Sequence, residues 1–131
     1  DEQLAVWQRV EPLLGDEAWW VRDLARETGS DEQVLRGVLL QVARMGLITA
    51  IVKDRYYRHA RIVAFAVLIR ELDTLRGSTC AADFRDRLNV GRKLAVQILE
   101  YFDRIGFTRR RGNDHLLRDT MLFPAQGQAS E

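Results

Sequence analysis

Cysteine is almost missing from this 131-residue chain: Cys80 stands alone. That excludes a disulfide framework and a cysteine-held zinc cluster, and it fits a reducing compartment. Long apolar runs are missing too, since none approaches the roughly 20 residues that span a bilayer. The first residues, DEQLAVWQ, do not form a secretory leader. These absences predict a cytoplasmic chain with no membrane partner. Lysine is scarce: of 20 basic residues only Lys53 and Lys93 are lysines. Arginine's planar fork suits phosphate and base-edge recognition, but arginine usage also follows genomic base composition and carries little alone. The signatures of catalysis are lacking as well. There is no G-x-x-x-x-G-K-[ST] loop, no carboxylate pair beside a candidate nucleophile, and the two histidines, His59 and His115, fall far apart in the architecture. No enzyme, no catalytic residue and no metal site is expected.

What is present is globular in composition, with 47% hydrophobic and 30% charged residues. The length fits one ordinary domain or two very small ones packed together. The formal charge of +1 averages two unlike halves. Residues 1–60 hold 8 basic and 10 acidic residues, a net of −2, whereas residues 61–131 hold 12 and 9, a net of +3. The basic character sits in the second half.

Helical periodicity appears at 2–14 through Leu4, Val6, Trp7, Val10, Leu13 and Leu14, stopped by Gly15. A short extended stretch at Trp19 leads to a second helix ending at Gly29. Ser30 followed by Gln33 fits a capping box for a third helix, which buries Val34, Leu35, Val38, Leu39, Val42 and Met45 before Gly46. Residues 47–52 and 56–58 read as a hairpin around Lys53 and Asp54. The pattern then restarts. Helices at 61–75, 81–88 and 91–105 use Val63, Phe65, Ala66, Leu68, Ile69 and Leu72, then Phe84, then Leu94, Ile98, Leu99 and Phe102, and a hairpin at 107–117 turns around Gly112, Asn113 and Asp114.

The restart is a repeat at an offset of 60. Leu24 meets Phe84, Val38 meets Ile98, Leu39 meets Leu99, Val42 meets Phe102, Gly46 meets Gly106 and Leu47 meets Phe107. Read without a gap, the register also pairs Asp54 with Asp114, Arg55 with His115 and Arg58 with Arg118. The predicted fold is mainly α (α+β): two tandem winged helices, at 1–60 and 61–124, with a disordered tail at 125–131. Trp7, Trp19, Trp20, Phe65, Phe84, Phe102 and Phe107 are expected in the cores, Tyr56 and Tyr57 are expected to pack, and Tyr101 is expected at the surface.

Two copies on one scaffold provide an internal control. At the start of the third helix, Asp31, Glu32 and Gln33 stand where the second copy has Gly91, Arg92 and Lys93. Free amides at a helix start attract phosphate, and two carboxylates there repel it. In the hairpin, Thr49, Ala50 and Ile51 align with Arg109, Arg110 and Arg111. Strand alternation puts Arg109 and Arg111 on one side and Arg110 on the other. Asn113 and His115 add groups able to hydrogen-bond or stack on bases, and Gln97 sits one turn beyond Lys93. For an isolated charge run a solvated surface is the ordinary reading. Two runs that a winged helix brings to one surface, both missing from the sister copy, point instead to nucleic acid.

Residues 84–119, FRDRLNVGRKLAVQILEYFDRIGFTRRRGNDHLLRD, resemble the carboxy-terminal end of the bacterial selenocysteine-specific elongation factor family, SelB. The likeness extends over nearly the whole chain. It implies the last two winged helices of a longer factor, the final one gripping a selenocysteine-insertion (SECIS) hairpin in mRNA. It also implies selenocysteyl-tRNA and the ribosome as partners of the full-length protein, with GTP and magnesium confined to upstream domains whose motifs this sequence lacks. Matched to the family's helix start and wing, the RNA-binding residues are Asn89, Gly91, Arg92, Lys93, Gln97, Arg109, Arg110, Arg111, Asn113 and His115. A monomer is expected, with the first winged helix as a spacer. The competing readings are a winged-helix DNA-binding regulator, which usually dimerises on symmetric sites, and a protein-interaction module.

Overall fold

The structure, a computed structural model, describes residues 1–125. The expected disordered tail at 125–131 lies, past Ala125, outside the described residues. In chain order the elements are α1 (Glu2–Val10), β1 (Trp19–Trp20), α2 (Val21–Thr28), α3 (Glu32–Arg44), β2 (Ile48–Val52) and β3 (Arg55–Arg58). Then follow α4 (His59–Arg76), β4 (Thr79–Cys80), α5 (Ala81–Leu88), α6 (Arg92–Ile105), β5 (Thr108–Arg111) and β6 (Asp114–Leu117). Short 3-10 turns occupy Glu11–Leu13 and Thr120–Leu122. The chain divides into two units, Asp1–Ile62 and a second starting at Val63, so the boundary falls inside α4. Each unit is a helical triad with a three-stranded antiparallel sheet, in the order β1-β3-β2 and β4-β6-β5. The two-residue strands β1 and β4 are too short to show alternation in sequence, yet they make the returning hairpin strand the middle one. No described helix is long and apolar enough to cross a membrane.

Helical spacing sets the first core: Val6 and Val10 of α1, Leu24 of α2, and Leu35, Val38, Leu39 and Val42 of α3 close on Ile48 and Tyr56. Each fully buried aliphatic side chain of this kind contributes about 1.5–3 kcal/mol. In the second unit Phe65, Ile69, Leu72, Phe84, Ile98, Leu99, Phe102 and Phe107 are buried. Phe123 meets Phe102 and Phe107 edge-on at 5.5 and 5.3 Å. Arg70 Nη2 donates to the carbonyls of Thr120 and Phe123 at 2.8 and 2.9 Å, tying the last described turn to α4.

Several local expectations change. Met45 is the α3 cap residue and is 71% exposed, so the core stripe stops at Val42. Val63 is also exposed. The side chain that caps α3 is Asp31, whose Oδ1 accepts from Val34 N at 3.0 Å, while Ser30 pairs with the Thr28 hydroxyl. Trp7, Trp19 and Trp20 are only partly buried, unlike Phe65, Phe84, Phe102 and Phe107; the Arg55 guanidinium lies 4.8 Å over the Trp20 ring. Tyr56 and Tyr57 do pack, at 3% and 2% exposure.

The repeat is not gapless. Ile48, Thr49 and Ala50 pair with Arg58, Tyr57 and Tyr56, after which a bulge at Ile51 puts Val52 opposite Arg55. The second wing has no bulge: Thr108, Arg109, Arg110 and Arg111 pair with Leu117, Leu116, His115 and Asp114. The offset is therefore 60 up to Ala50 and 59 beyond Ile51. The structural counterpart of His115 is Tyr56 rather than Arg55, and that of Arg111 is Val52 rather than Ile51. A one-residue slip exchanges the two faces of a strand, so the correction decides which side chains point inward.

Candidate nucleic-acid interface

The start of α6 is open to an acceptor from outside. Gly91 is its N-cap, with φ −69° and ψ 159°, and no side chain caps it. A helix leaves its first amides unpaired and carries partial positive charge there. In the first unit the Asp31 carboxylate fills that position. Arg92 and Lys93 follow Gly91 and are exposed, and Gln97 one turn later is half-buried. Asn89 has a backbone reason to be where it is. It ends α5 in the left-handed region at φ 55°, as Gly29 ends α2 at φ 65°, and its side chain lies exposed just before the helix start.

The wing supplies the second half. Arg109, Arg110 and Arg111 are all exposed. Arg110 turns toward α6, with Nη1 3.8 Å from Glu100 Oε2 and Nε donating to the Gly112 carbonyl at 3.0 Å. Gly112 takes φ 64° at the first turn position, which suits a type II′ hairpin, and leaves Asn113 exposed at the tip. Between wing and helix lies a cavity of about 330 Å³, lined on its polar side by Arg92, Glu100, Arg110, Asn113 and His115. The fold thus brings Arg92, Arg110, Asn113 and His115 together. Asn89, Lys93, Gln97, Arg109 and Arg111 do not line that cavity.

His115, expected to hydrogen-bond or stack on bases, lines the cavity but turns most of its ring inward. It is 5% exposed, and its Nδ1 lies 2.9 Å from Asp103 Oδ2. Thr108 Oγ1 donates to Asp103 Oδ1 at 2.7 Å. A carboxylate brings no proton to the contact, so Nδ1 carries the hydrogen and donates. The counterparts of Asp103, Thr108 and His115 in the first unit are Ala43, Ile48 and Tyr56. A polar triad, with Thr108 and His115 buried and Asp103 half-buried, therefore stands where the first unit has an alanine, an isoleucine and a tyrosine, and its histidine lines the cavity. Asp103 and Thr108 went unnoticed in the sequence because each alone resembles a surface residue; the aligned apolar residues were the available signal. Tyr101 likewise proves half-buried, edge-on to Phe102 at 5.3 Å, and burial raises its phenol above the usual range.

The first unit has the corresponding hollow, lined by Trp20, Glu32, Arg36, Lys53 and Asp54, but it is satisfied internally. Arg36 Nη2 meets Glu32 at 2.7 Å, Nε meets Asp54 at 3.1 Å, and Nη1 meets Gln33 at 3.1 Å. Val96 stands at the Arg36 position in the second unit, where no such plug forms.

Comparisons with known proteins agree with this division. Residues 1–57 match the family described as selenocysteine-specific elongation factor, winged helix domain, and residues 70–117 match elongation factor SelB, winged helix. The selenocysteine-specific elongation factor of Escherichia coli K12 is 75% identical over 124 residues, 95% of this chain and 20% of that protein. That of Haemophilus influenzae is 45% identical over 107 residues, 82% of this chain and 17% of that protein. The chain spans about a fifth of the length of these curated relatives. Among solved structures, the mRNA-binding domain of elongation factor SelB from E. coli in complex with SECIS RNA superposes with a TM-score of 0.89 at 76% identity, covering 91% of this chain and 98% of that one. A bacterial EF-Sec crystal structure, at 20% identity and a TM-score of 0.69 over 86% of this chain and 18% of that one, shares the fold. The two family matches, with the 76% identity to the E. coli mRNA-binding domain over 98% of that structure, place the chain in the SelB family of selenocysteine-specific elongation factors, to whose winged-helix domains it belongs.

Proposed function

We propose that the second unit grips an mRNA stem-loop of the SECIS class. A longer protein carrying this chain would use that grip to deliver selenocysteyl-tRNA to the ribosome at a recoded UGA codon. The observation that carries the reading is the meeting of Arg92, Arg110 and Asn113 on one cavity beside a helix start that no side chain caps. The relative solved with SECIS RNA supplies the ligand class. The arginines and Lys93 hold phosphates, which fix register without reading sequence. A-form RNA hides its major groove, so specificity resides in an unpaired base that the cavity admits and the Asn113 amide reads at its edge.

In this reading the first unit, with its plugged hollow and acidic helix start, is a spacer toward the translation machinery. The chain itself is non-catalytic, monomeric and cytoplasmic, and GTP and magnesium belong to upstream domains. Binding of a SECIS RNA hairpin, titrated with salt, tests the proposal. About four phosphate contacts give a log-log slope near −3 to −4. A flat salt dependence, or equal competition by duplex DNA of the same length, would overturn it.

A further inference from the structure

The wing has an outer face, and it too carries a cleft lined by arginines. Arg76, Gly77 and Ser78, at the turn from α4 into β4, share a cleft of about 370 Å³ with Arg111, Asp114 and Leu116 of the hairpin. This cleft is separate from the cavity beside α6: Arg111 and Arg110 are neighbours on β5 and point to opposite sides of the sheet. β4 and β5 are the two outer strands, so Arg76 and Arg111 approach the cleft from opposite edges.

The sister unit again provides the control. At the offset of 60 that holds before the wing, Asp16, Glu17 and Ala18 stand where the second unit has Arg76, Gly77 and Ser78, and the bulge-corrected counterpart of Arg111 is Val52. Arg55 occupies the place of Asp114, but it lies against Trp20. At these positions the first unit has one carboxylate in excess, and the second unit has one guanidinium in excess. Arg76 is pre-oriented: its Nε contacts Asp83 Oδ2 at 3.1 Å, while the side chain stays 63% exposed. A guanidinium has five N–H donors, so the contact through Nε leaves four for a ligand.

We propose that this outer cleft is a second phosphodiester site, formed by Arg76, Ser78 and Arg111. RNA backbone then passes along both faces of the wing, its phosphates held by Arg110 and Arg92 on one side and by Arg76 and Arg111 on the other. The inference rests on the RNA-binding reading given above.

A purely structural role for Arg76 also exists, because a cation in the last turn of a helix is favoured by the helix dipole. Salt titration separates the two. With the whole chain and a SECIS RNA hairpin, Arg76→Ala and Arg111→Ala each weaken binding several-fold and reduce the salt slope by about one. Arg76→Lys keeps the slope. Asp83→Asn removes the ion pair while leaving the cation, and it leaves the slope unchanged. Arg87→Ala, which removes another exposed, ion-paired arginine of the same unit, also changes nothing. If Arg76→Ala melts like the parent chain and shows the parent slope while Arg92→Ala reduces it, the outer cleft is refuted and the RNA reading stands. If the Arg92→Ala, Lys93→Ala double variant also binds like the parent, both fall together.

Discussion

His115 Nδ1 lies 2.9 Å from Asp103 Oδ2, joining the middle strand of the second wing to the end of α6. Because Thr108 donates to the same carboxylate, helix and both hairpin strands share one half-buried acceptor. Such a contact is costly to leave half made. Asp103→Ala strands two buried donors, and the expected loss is about 1–3 kcal/mol, read as a lower midpoint in urea or heat. The triple replacement Asp103→Ala, Thr108→Ile, His115→Tyr installs the first unit's apolar set and recovers most of that loss. A single Asp103→Ala as stable as the parent would show that the triad braces nothing.

Most of the scaffold was legible from apolar periodicity and helix stops, since a winged helix places its core at fixed helical spacings and ends its third helix at a residue in the left-handed region. Gly46 and Gly106, at φ 84° and 88°, are that signal. Arg92, Lys93 and the arginine run stood out in the sequence as basic residues that the sister copy lacks, and all are exposed. What the sequence hid was the bulge at Ile51, because an extra residue in a short hairpin leaves no trace in composition. That slip set His115 against Arg55 and so gave it an outward face. The cleft at Arg76 was hidden for another reason: it joins residues more than 30 positions apart, and only the sheet order β4-β6-β5 brings them together.

The open helix start leads to a variant whose two effects have opposite signs. Gly91 has an ordinary φ of −69°, and nothing lies within 4 Å of where a Cβ would stand, so Gly91→Asp fits without strain. It copies Asp31 and caps α6, a gain of a few tenths of a kcal/mol over glycine. It also places a carboxylate where a phosphate would sit. Thermal midpoint is expected to rise slightly while affinity for a SECIS RNA hairpin falls at least tenfold. Unchanged affinity would remove the helix start from the interface.

Among the described residues Glu100 is the one carboxylate lining the inner cavity, and it holds Arg110 at 3.8 Å. That pair is exposed and worth at most about 1 kcal/mol to the fold, so Glu100→Gln costs little stability. It frees Arg110 and removes a repulsion from any entering phosphate. RNA affinity is expected to increase about twofold to fivefold at low salt, with the gain shrinking as salt screens the charge. Weaker binding would mean that Glu100 accepts a hydrogen bond from the RNA instead of opposing it.

The first unit carries a test of its own at alkaline pH. Burial pushes the phenols of both Tyr56 and Tyr57 above their ordinary value of 10.0, with Asp54 adding to the effect on Tyr56 and Arg55 and Arg61 opposing it on Tyr57. Above pH 10 the unfolded chain ionises these phenols while the folded chain does not. Their contribution is therefore complete below pH 10 and is lost as pH rises through the folded values, with a limiting slope of about 1.4 kcal/mol per pH unit for each tyrosine. They are the only tyrosines before residue 101, and Trp7, Trp19 and Trp20, all in this unit, report its unfolding by fluorescence. Urea midpoints between pH 9 and 11 should fall steeply for the parent chain and much less for Tyr56→Phe, Tyr57→Phe. An equally steep fall in that double variant would place the alkaline sensitivity outside the buried tyrosines.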